Sequence, residues 1–335
     1  MRPSTDYLRR TLMAQVLSYA DAQAILTANE IGLLETLAAE PRTLAGLVRR
    51  LRCSRRGLRA LLDALLTMGL LRQRAGRYHL APGGRPLFDP ENPQCLIPVL
   101  QHQNRLYARW TRLADAVRSG TPVTPRRRSS GDRRQFLQAM VGASQPSVEE
   151  FFRLVDLTPH RRLLDLGGGL GAYAAEAAAR YPHLECTLFD LPGAIRQAGE
   201  FLRSVGAEER VSRLSGDARQ DALGGPYDAI LISNVLHLFS LGDSIRVLRR
   251  ARRALHPRGR IYLKDFYLRE DRRGPRRSGL FGLNMLIGTE GGGVFTNREY
   301  QAMFARSRLR RLRTYPIGEA SWLQILKRQD RSGAT

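Results

Sequence analysis

The sequence predicts an α/β protein, with a parallel sheet flanked by helices in the C-terminal part and a mostly helical unit ahead of it. Three observations carry this prediction. From residue 160 onward, short apolar runs alternate with amphipathic helical stretches. One run, YDAILIS at 227–233, is apolar enough for a strand buried on both faces. The stretch RRLLDLGGGLGAYAAEAAARYP, residues 161–182, puts four glycines into five positions between a strand and an alanine-rich helix. A chain does this where its backbone must pass very close to something.

The N-terminal elements come first. Residues 12–85 read as a compact helical unit, with Val16, Ala20, Ala24, Ile31, Leu34 and Leu37 at helical spacing until Pro41. Thr43 is placed to cap the helix TLAGLVRRL and Ser54 to cap RRGLRALLDALLTMG, which Gly69 closes. LLRQRAGRYHLAP then forms two short strands around Ala75-Gly76. Three helices and a hairpin in this order make a winged-helix arrangement. Helices follow over 92–118 and 132–157. Between them SGTPVTPRRRSSGDRR reads as a linker, with the arginines at 126–128 in a solvated loop. The expected domains are 1–118, a linker over 119–134, and 135–335.

The C-terminal elements follow in order. RLLDL, CTLFD, RVSRLSGD, YDAILIS and RIYLKDF are strands, separated by helices that Pro182 and Pro257 help to end. NREYQAMFARS, LRRLRTYPI and SWLQILKRQ add a helix and a final antiparallel strand pair, and DRSGAT reads as a disordered tail.

Composition excludes several classes. No window approaches the roughly 18 apolar residues of a membrane span, and the N-terminus lacks a signal-peptide pattern. Cys53, Cys95 and Cys186 are far apart, which indicates neither disulfides nor a metal site. A reducing cytoplasm is the default. The net charge of +23 raises nucleic acid as a partner. Yet the basic residues are nearly all arginines spread over the whole chain, with Lys264 and Lys327 the only lysines. GC-rich coding produces that pattern, and no specific nucleic-acid site is expected.

The glycine turn precedes a helix, so its free N–H groups face whatever binds there. Gly167, Gly169 and Ala172 satisfy the dinucleotide spacing, with Asp190 placed for a ribose. Two carboxylates argue for another ligand. Asp165, on the strand itself, suits an ammonium group better than a pyrophosphate, and Asp217 ends the third strand where an adenine amino group would lie. With the binding unit in the C-terminal half, these acids suit S-adenosylmethionine, which has an ammonium, a ribose and an adenine but no phosphate.

The segments LLDLGGGLGAYAAEAAARYPHLECTLFDLPGAI, ISNVLHLF, GRIYLKDFYL and NMLIGTEGGGVFTNREY closely resemble the class I S-adenosylmethionine-dependent O-methyltransferases of small molecules. Plant caffeate and flavonoid enzymes and bacterial polyketide and pigment enzymes belong to that family. The resemblance covers nearly the whole chain. It implies a Rossmann-like seven-stranded sheet, a winged-helix dimerisation domain, a homodimer and S-adenosyl-L-methionine as cofactor. By motif, Gly167, Gly169 and Gly171 would line the methionine end, with Asp165 beside them. Asp190 and Leu191 of FDLP would hold the ribose, and Asp217 with Ala218 the adenine.

Methyl transfer to a phenol needs an aligned acceptor and a base for its proton. His237 sits just past YDAILIS, at the carboxyl end of the sheet, and matches the family's general base. Asp265, ending RIYLKD, is placed to orient it, while Lys264 is expected at the surface. Plant enzymes carry a second glutamate where this chain has Val294, with Glu290 four residues earlier as a substitute. They also carry a cofactor-holding lysine where this chain has Ser233. Tyr107, Trp110, Phe136, Met140, Phe281, Asn284 and Met285 are candidates for a flat apolar acceptor slot, with Asn284 to hydrogen-bond the acceptor.

Four readings stand on the sequence. The leading one is O-methylation of a phenolic or hydroxylated secondary metabolite. C-methylation, or a non-methylating descendant of the fold, remains open because of the departures at 233 and 294. A winged-helix DNA-binding regulator and an NAD-dependent enzyme are the more distant alternatives.

Overall fold

The computed structural model describes residues 4–92, 94–123 and 130–329. The arginines at 126–128 and the tail at 330–335, both interpreted above, lie outside the described residues. Tertiary contacts divide the chain into two units, Met1–Leu106 and Tyr107–Thr335.

The first unit contains α1 (Thr5–Leu17), α2 (Tyr19–Glu30), α3 (Leu33–Ala39), β1 (Arg42–Thr43), α4 (Leu44–Leu51), α5 (Arg55–Thr67), β2 (Leu71–Arg74), β3 (Arg77–Leu80) and α6 (Arg85–Phe88). The Thr43 and Ser54 hydroxyls accept from the N–H groups of Gly46 and Gly57, so both expected caps form. Ala75 and Gly76 both take positive φ, which turns β2 tightly into β3. Leu33, Leu34, Leu37, Leu47, Leu58, Leu62, Leu65 and Tyr78 form the core of this unit.

The apolar pattern over 16–40 is not one helix. It breaks at Ser18 and again at Gly32, whose φ of 73° suits glycine. Val16, at helical spacing with the residues that follow, is 53% exposed on α1, a helix that buries none of its residues. Periodicity reports an apolar face without saying what covers it.

α7 (Ile97–Trp110) begins in the first unit and ends in the second. The second unit continues with α8 (Leu113–Ser119), α9 (Ser130–Leu154), β4 (Arg162–Leu166), α10 (Ala172–Arg180), β5 (Glu185–Asp190), α11 (Pro192–Ser204), β6 (Val211–Ser215) and β7 (Tyr227–Ser233). A 3-10 turn (Leu236–Leu238) leads into α12 (Leu241–Ala254), β8 (Leu255–Leu268), α13 (Arg276–Gly288), β9 (Phe295–Thr296), α14 (Asn297–Arg306), β10 (Leu309–Ile317) and β11 (Ser321–Arg328). α9 thus starts inside the stretch interpreted above as a linker.

Seven strands form the sheet in the order β10-β11-β8-β7-β4-β5-β6, and the short β9 pairs with the end of β8. β4 through β8 are parallel, while β10 and β11 are antiparallel, the strand pair expected at the end of the chain. Residues alternate between two cores. Leu163, Leu231, Tyr262 and Leu323 face α9, α10 and α11, and Leu164, Ile230, Ile261 and Leu263 face α12 and α14. The alanines of α10 let its axis lie close to the sheet, with Ala174 and Ala177 fully buried. From β4 the chain builds outward through β5 and β6, then returns to the other side with β7 and β8. The reversal leaves a crevice at the carboxyl ends of β4 and β7.

Candidate active site

The glycine turn sits at that crevice. Gly167, Gly169 and Gly171 have φ of 74°, 64° and 91°, a region that L side chains avoid. A Cβ on Gly167 would lie 2.7 Å from Val235 Cγ2, and one on Gly168 would overlap the Asp165 carboxyl group. The backbone therefore passes close to its own neighbours as well as to the crevice. Asp165 is 1% exposed beneath the turn, and its two carboxylate oxygens have no hydrogen-bond partner among the described residues. Burial pushes its pKa up to about 7, against the downward pull of the Ala174 backbone N–H, and the nearby charge of Asp190 adds to the rise.

The next strand ends carry the other two acids. Asp190 accepts from the Gly169 N–H at 2.8 Å and the Leu191 N–H at 2.6 Å, so it ties the turn to the start of α11. Leu191 beside it is 49% exposed. Asp217 meets Arg219, whose guanidinium donates to it at 2.6 Å from Nη2 and 3.0 Å from Nε. That pairing holds the Asp217 carboxyl below its ordinary range. Arg219 also lies 5.4 Å from the centre of the Phe239 ring, and half-buried Ala218 stands between the paired residues. Ser233 ends β7 with its hydroxyl buried beside the Tyr173 phenol.

His237 lies in the 3-10 turn, 6% exposed. Its Nδ1 is 2.6 Å from Asp265 Oδ1, and its backbone N–H donates to Asp265 Oδ2 at 3.2 Å. With the Nδ1 proton given to that carboxylate, Nε2 is the ring nitrogen with a free lone pair. The Phe281 ring meets the imidazole edge-on at 4.8 Å and stacks on Phe266 at 4.0 Å. The loop after α13 packs on the same backbone, for the Gly293 N–H donates to the His237 carbonyl at 2.9 Å. A Cβ on Gly292 would overlap that carbonyl. Glu290 is exposed on this loop and Val294 is buried.

The expected slot residues divide into groups. Phe281, Asn284 and Met285 share α13, with Phe281 against His237 and Met285 buried. Trp110 Nε1–H donates to Asn284 Oδ1 at 2.6 Å, which fixes the carboxamide on α13. Phe136 instead packs on Leu137, Leu170 and Ala194, the cluster beside the glycine turn. Met140 is half-buried on α9, and Tyr107 is 37% exposed.

Comparison with known proteins decides the family. The O-methyltransferase domain family matches residues 110–308, and the O-methyltransferase dimerisation domain matches residues 13–88. The chain belongs to the O-methyltransferase family. It is 31% identical to a 3-hydroxy-5-methyl-1-naphthoate 3-O-methyltransferase of Streptomyces sahachiroi, over 83% of each chain. It is 32% identical to the acetylserotonin O-methyltransferase of Mus musculus, over 91% of this chain and 84% of that one. The structure of human N-acetylserotonin methyltransferase in complex with S-adenosylmethionine superposes with a TM-score of 0.88 at 27% identity, covering 98% of this chain and all of that one.

S-adenosylmethionine is the methyl donor of this O-methyltransferase family, and the residues here fit it. The unpartnered Asp165 carboxylate beneath the turn provides a negative field for an ammonium group. Carboxylates stand at the ends of β4, β5 and β6, and the glycine turn carries no lysine or arginine for a pyrophosphate.

Several residues of the site were not legible beforehand. Lys264, expected at the surface, is 4% exposed and donates from Nζ to Asn234 Oδ1 at 3.3 Å. β8 is a central strand between β7 and β11, and its stretch 261–265 is buried on both faces, so Lys264 has no route to solvent. Burial pulls the Lys264 ammonium down to about 8, against the opposing pull of Asp265. Phe266 on β8 stacks on Phe281 of α13, and Arg219, two residues from Asp217, reaches Phe239 just past the 3-10 turn, contacts that leave no periodic signal.

Proposed function

We propose that this O-methyltransferase moves a methyl group from S-adenosylmethionine to a phenolic hydroxyl of a flat aromatic secondary metabolite, with His237 as the general base. The buried pairing of His237 Nδ1 with Asp265 Oδ1 at 2.6 Å carries this reading. It fixes the imidazole so that Nε2 is the acceptor of a proton.

When bound, the cofactor supplies an electrophilic methyl group on a sulfonium. The glycine turn and Asp190 position it, and Asp165 supplies a buried negative field at the methionine end. Phe281 and Phe266 present an apolar surface beside the imidazole, and the Asn284 amide nitrogen orients the acceptor's polar groups. The acceptor oxygen gains the methyl carbon as the carbon–sulfur bond breaks, and its proton passes to Nε2. Asp265 stabilises the imidazolium that results. A phenol with pKa near 10 needs this help at neutral pH. The two relatives above, by name, act on a hydroxylated naphthoate and on acetylserotonin, which supports an aromatic acceptor.

The protein works as a homodimer through its N-terminal unit, in the cytoplasm. Support comes from the dimerisation-domain match and from α1, where Tyr7, Leu8, Leu12, Met13 and Val16 are all exposed. Among the described residues no helix is long and apolar enough to cross a membrane.

The test is His237→Ala, assayed on a phenol and polyketide panel with labelled S-adenosylmethionine. S-adenosylhomocysteine binding is retained and methylation falls by about 10²-fold or more. Unchanged turnover removes His237 from the mechanism, and product analysis separates O- from C- and N-methylation.

A further inference from the structure

Beside the glycine turn lies a four-residue segment that ends on the proposed base, Asn234 to His237, and consecutive residues of one strand hold it from opposite faces. Asp265 points to the face of β8 that carries His237, and binds that histidine twice. Lys264 points to the other face and binds Asn234 twice. Its carbonyl accepts the Asn234 N–H at 2.8 Å, and its Nζ donates to Asn234 Oδ1 at 3.3 Å. Ser233, which precedes Asn234, is the register partner of Lys264 across β7 and β8.

Asn234 needs holding because its φ is 58°, a left-handed conformation outside glycine. Asparagine tolerates that region better than most residues, yet it is strained there where glycine is not. The left-handed elbow also aims the next side chain. Val235 packs into the space that Gly167 leaves empty, and so joins the elbow to the cofactor turn. Two residues further on stands His237. A relaxed elbow would move Val235 away from Gly167 and displace the turn that carries the base.

We infer that Lys264 is a positioning residue for methyl transfer, whose buried ammonium locks the left-handed elbow at Asn234 and so registers the cofactor turn against His237. The inference rests on the proposed role of His237 for its effect on turnover, but its effect on cofactor binding does not. Lys264 touches neither acceptor nor cofactor in this role. It is also an unusual use of a buried lysine, since the ammonium has a carboxamide for its partner and Asp265 only as a neighbour on the strand.

The experiment combines Lys264→Met, Asn234→Ala and the double variant Lys264→Met with Asn234→Gly. Lys264→Met keeps an unbranched chain up to the ε-carbon and removes the donor. Turnover per S-adenosylhomocysteine-binding site then falls about ten-fold while the acceptor KM stays within two-fold, and calorimetry gives about five-fold weaker S-adenosylhomocysteine binding. Glycine at 234 adopts positive φ without strain, so the double variant recovers to within three-fold of wild type on both measurements. Asn234→Ala cuts the same bond from the other end, shows the same losses, and decides the matter if Lys264→Met does not fold. Wild-type turnover and binding in Lys264→Met or Asn234→Ala overturn the inference, as does a double variant no better than Lys264→Met. If His237→Ala keeps full turnover, the base assignment fails, whereas the binding loss and its rescue by glycine still judge Lys264.

Discussion

His237 and Asp265 are joined twice, once through the imidazole and once through the backbone N–H, and both bonds are buried. The carboxylate thus sets the ring's tautomer and the position of its main chain together. Asp265→Asn leaves the size unchanged but removes the anion, and its amide is able to donate to Nδ1 and shift the proton to Nε2. Turnover is expected to fall by about 10²–10⁴-fold with S-adenosylhomocysteine affinity unchanged. Kinetics and calorimetry on the same preparation check this. A loss of less than five-fold would argue against the orienting role.

The two central glycines of the turn differ in what constrains them. A Cβ on Gly168 collides with the Asp165 carboxyl group, whereas one on Gly169 meets only Leu137 Cδ2 at 3.6 Å and is opposed by the φ of 64°. Gly169→Ala should therefore cost about 1 kcal/mol of stability and Gly168→Ala clearly more. Chemical denaturation of both variants compares them directly, and equal costs would contradict the collision.

Asp165 links the proposed cofactor site to stability through pH. Burial raises its pKa from 3.8 to about 7, so across that range the folded chain holds a proton that the unfolded chain has released. Stability from this group is greatest below the unfolded value, declines as pH rises toward 7, and is then flat. Asp165→Asn removes the decline. Its advantage over wild type grows by about 1.4 kcal/mol per pH unit across the same range, while S-adenosylmethionine binding weakens. Melting curves at pH 5 and pH 8 measure it. A difference between variant and wild type that is the same at both pH values would sink the prediction.

Trp110 holds Asn284 by one hydrogen bond of 2.6 Å. Trp110→Phe keeps an aromatic ring and releases the carboxamide, and the net value of such a bond is about 1 kcal/mol. The acceptor KM is expected to rise about five-fold while the KM for S-adenosylmethionine is unchanged. Equal shifts in both would place Trp110 outside the acceptor slot.

On α1, Leu12 and Met13 are 60% and 48% exposed. Replacing both with glutamate puts charges into the proposed dimer contact. Sedimentation should then show a monomer at concentrations where wild type is a dimer, with S-adenosylhomocysteine binding intact. A variant that sediments as wild type does would exclude α1 from the interface.

Much of the fold is legible in the sequence because it rests on local chemistry. Thr43 and Ser54 cap their helices, Ala75-Gly76 turns the hairpin, and the apolar strands alternate with helices, all within a few residues of the signal. The break at Gly32 and the exposure of α1 were not legible, since one apolar period describes a single helix, two helices and an uncovered face equally well. In the site, Asp165, Asp190 and His237 are placed by their positions at strand ends. Lys264 on Asn234, and Phe266 stacked on Phe281, depend on how separate segments meet.

By itself, the amino-acid sequence determined the order of strands and helices, the glycine turn at a strand end and the identity of the histidine and its acidic partner. Each of these is written in residues close together along the chain. Only the tertiary structure decided which way Lys264 and Asp265 face. Adjacent residues of a strand point to opposite sides, and only the burial of β8 between two neighbours makes both sides interior. The glycines at 167 and 168 changed meaning for the same reason. Val235 and the Asp165 carboxyl, far and near in sequence, come to occupy the space where their side chains would have been.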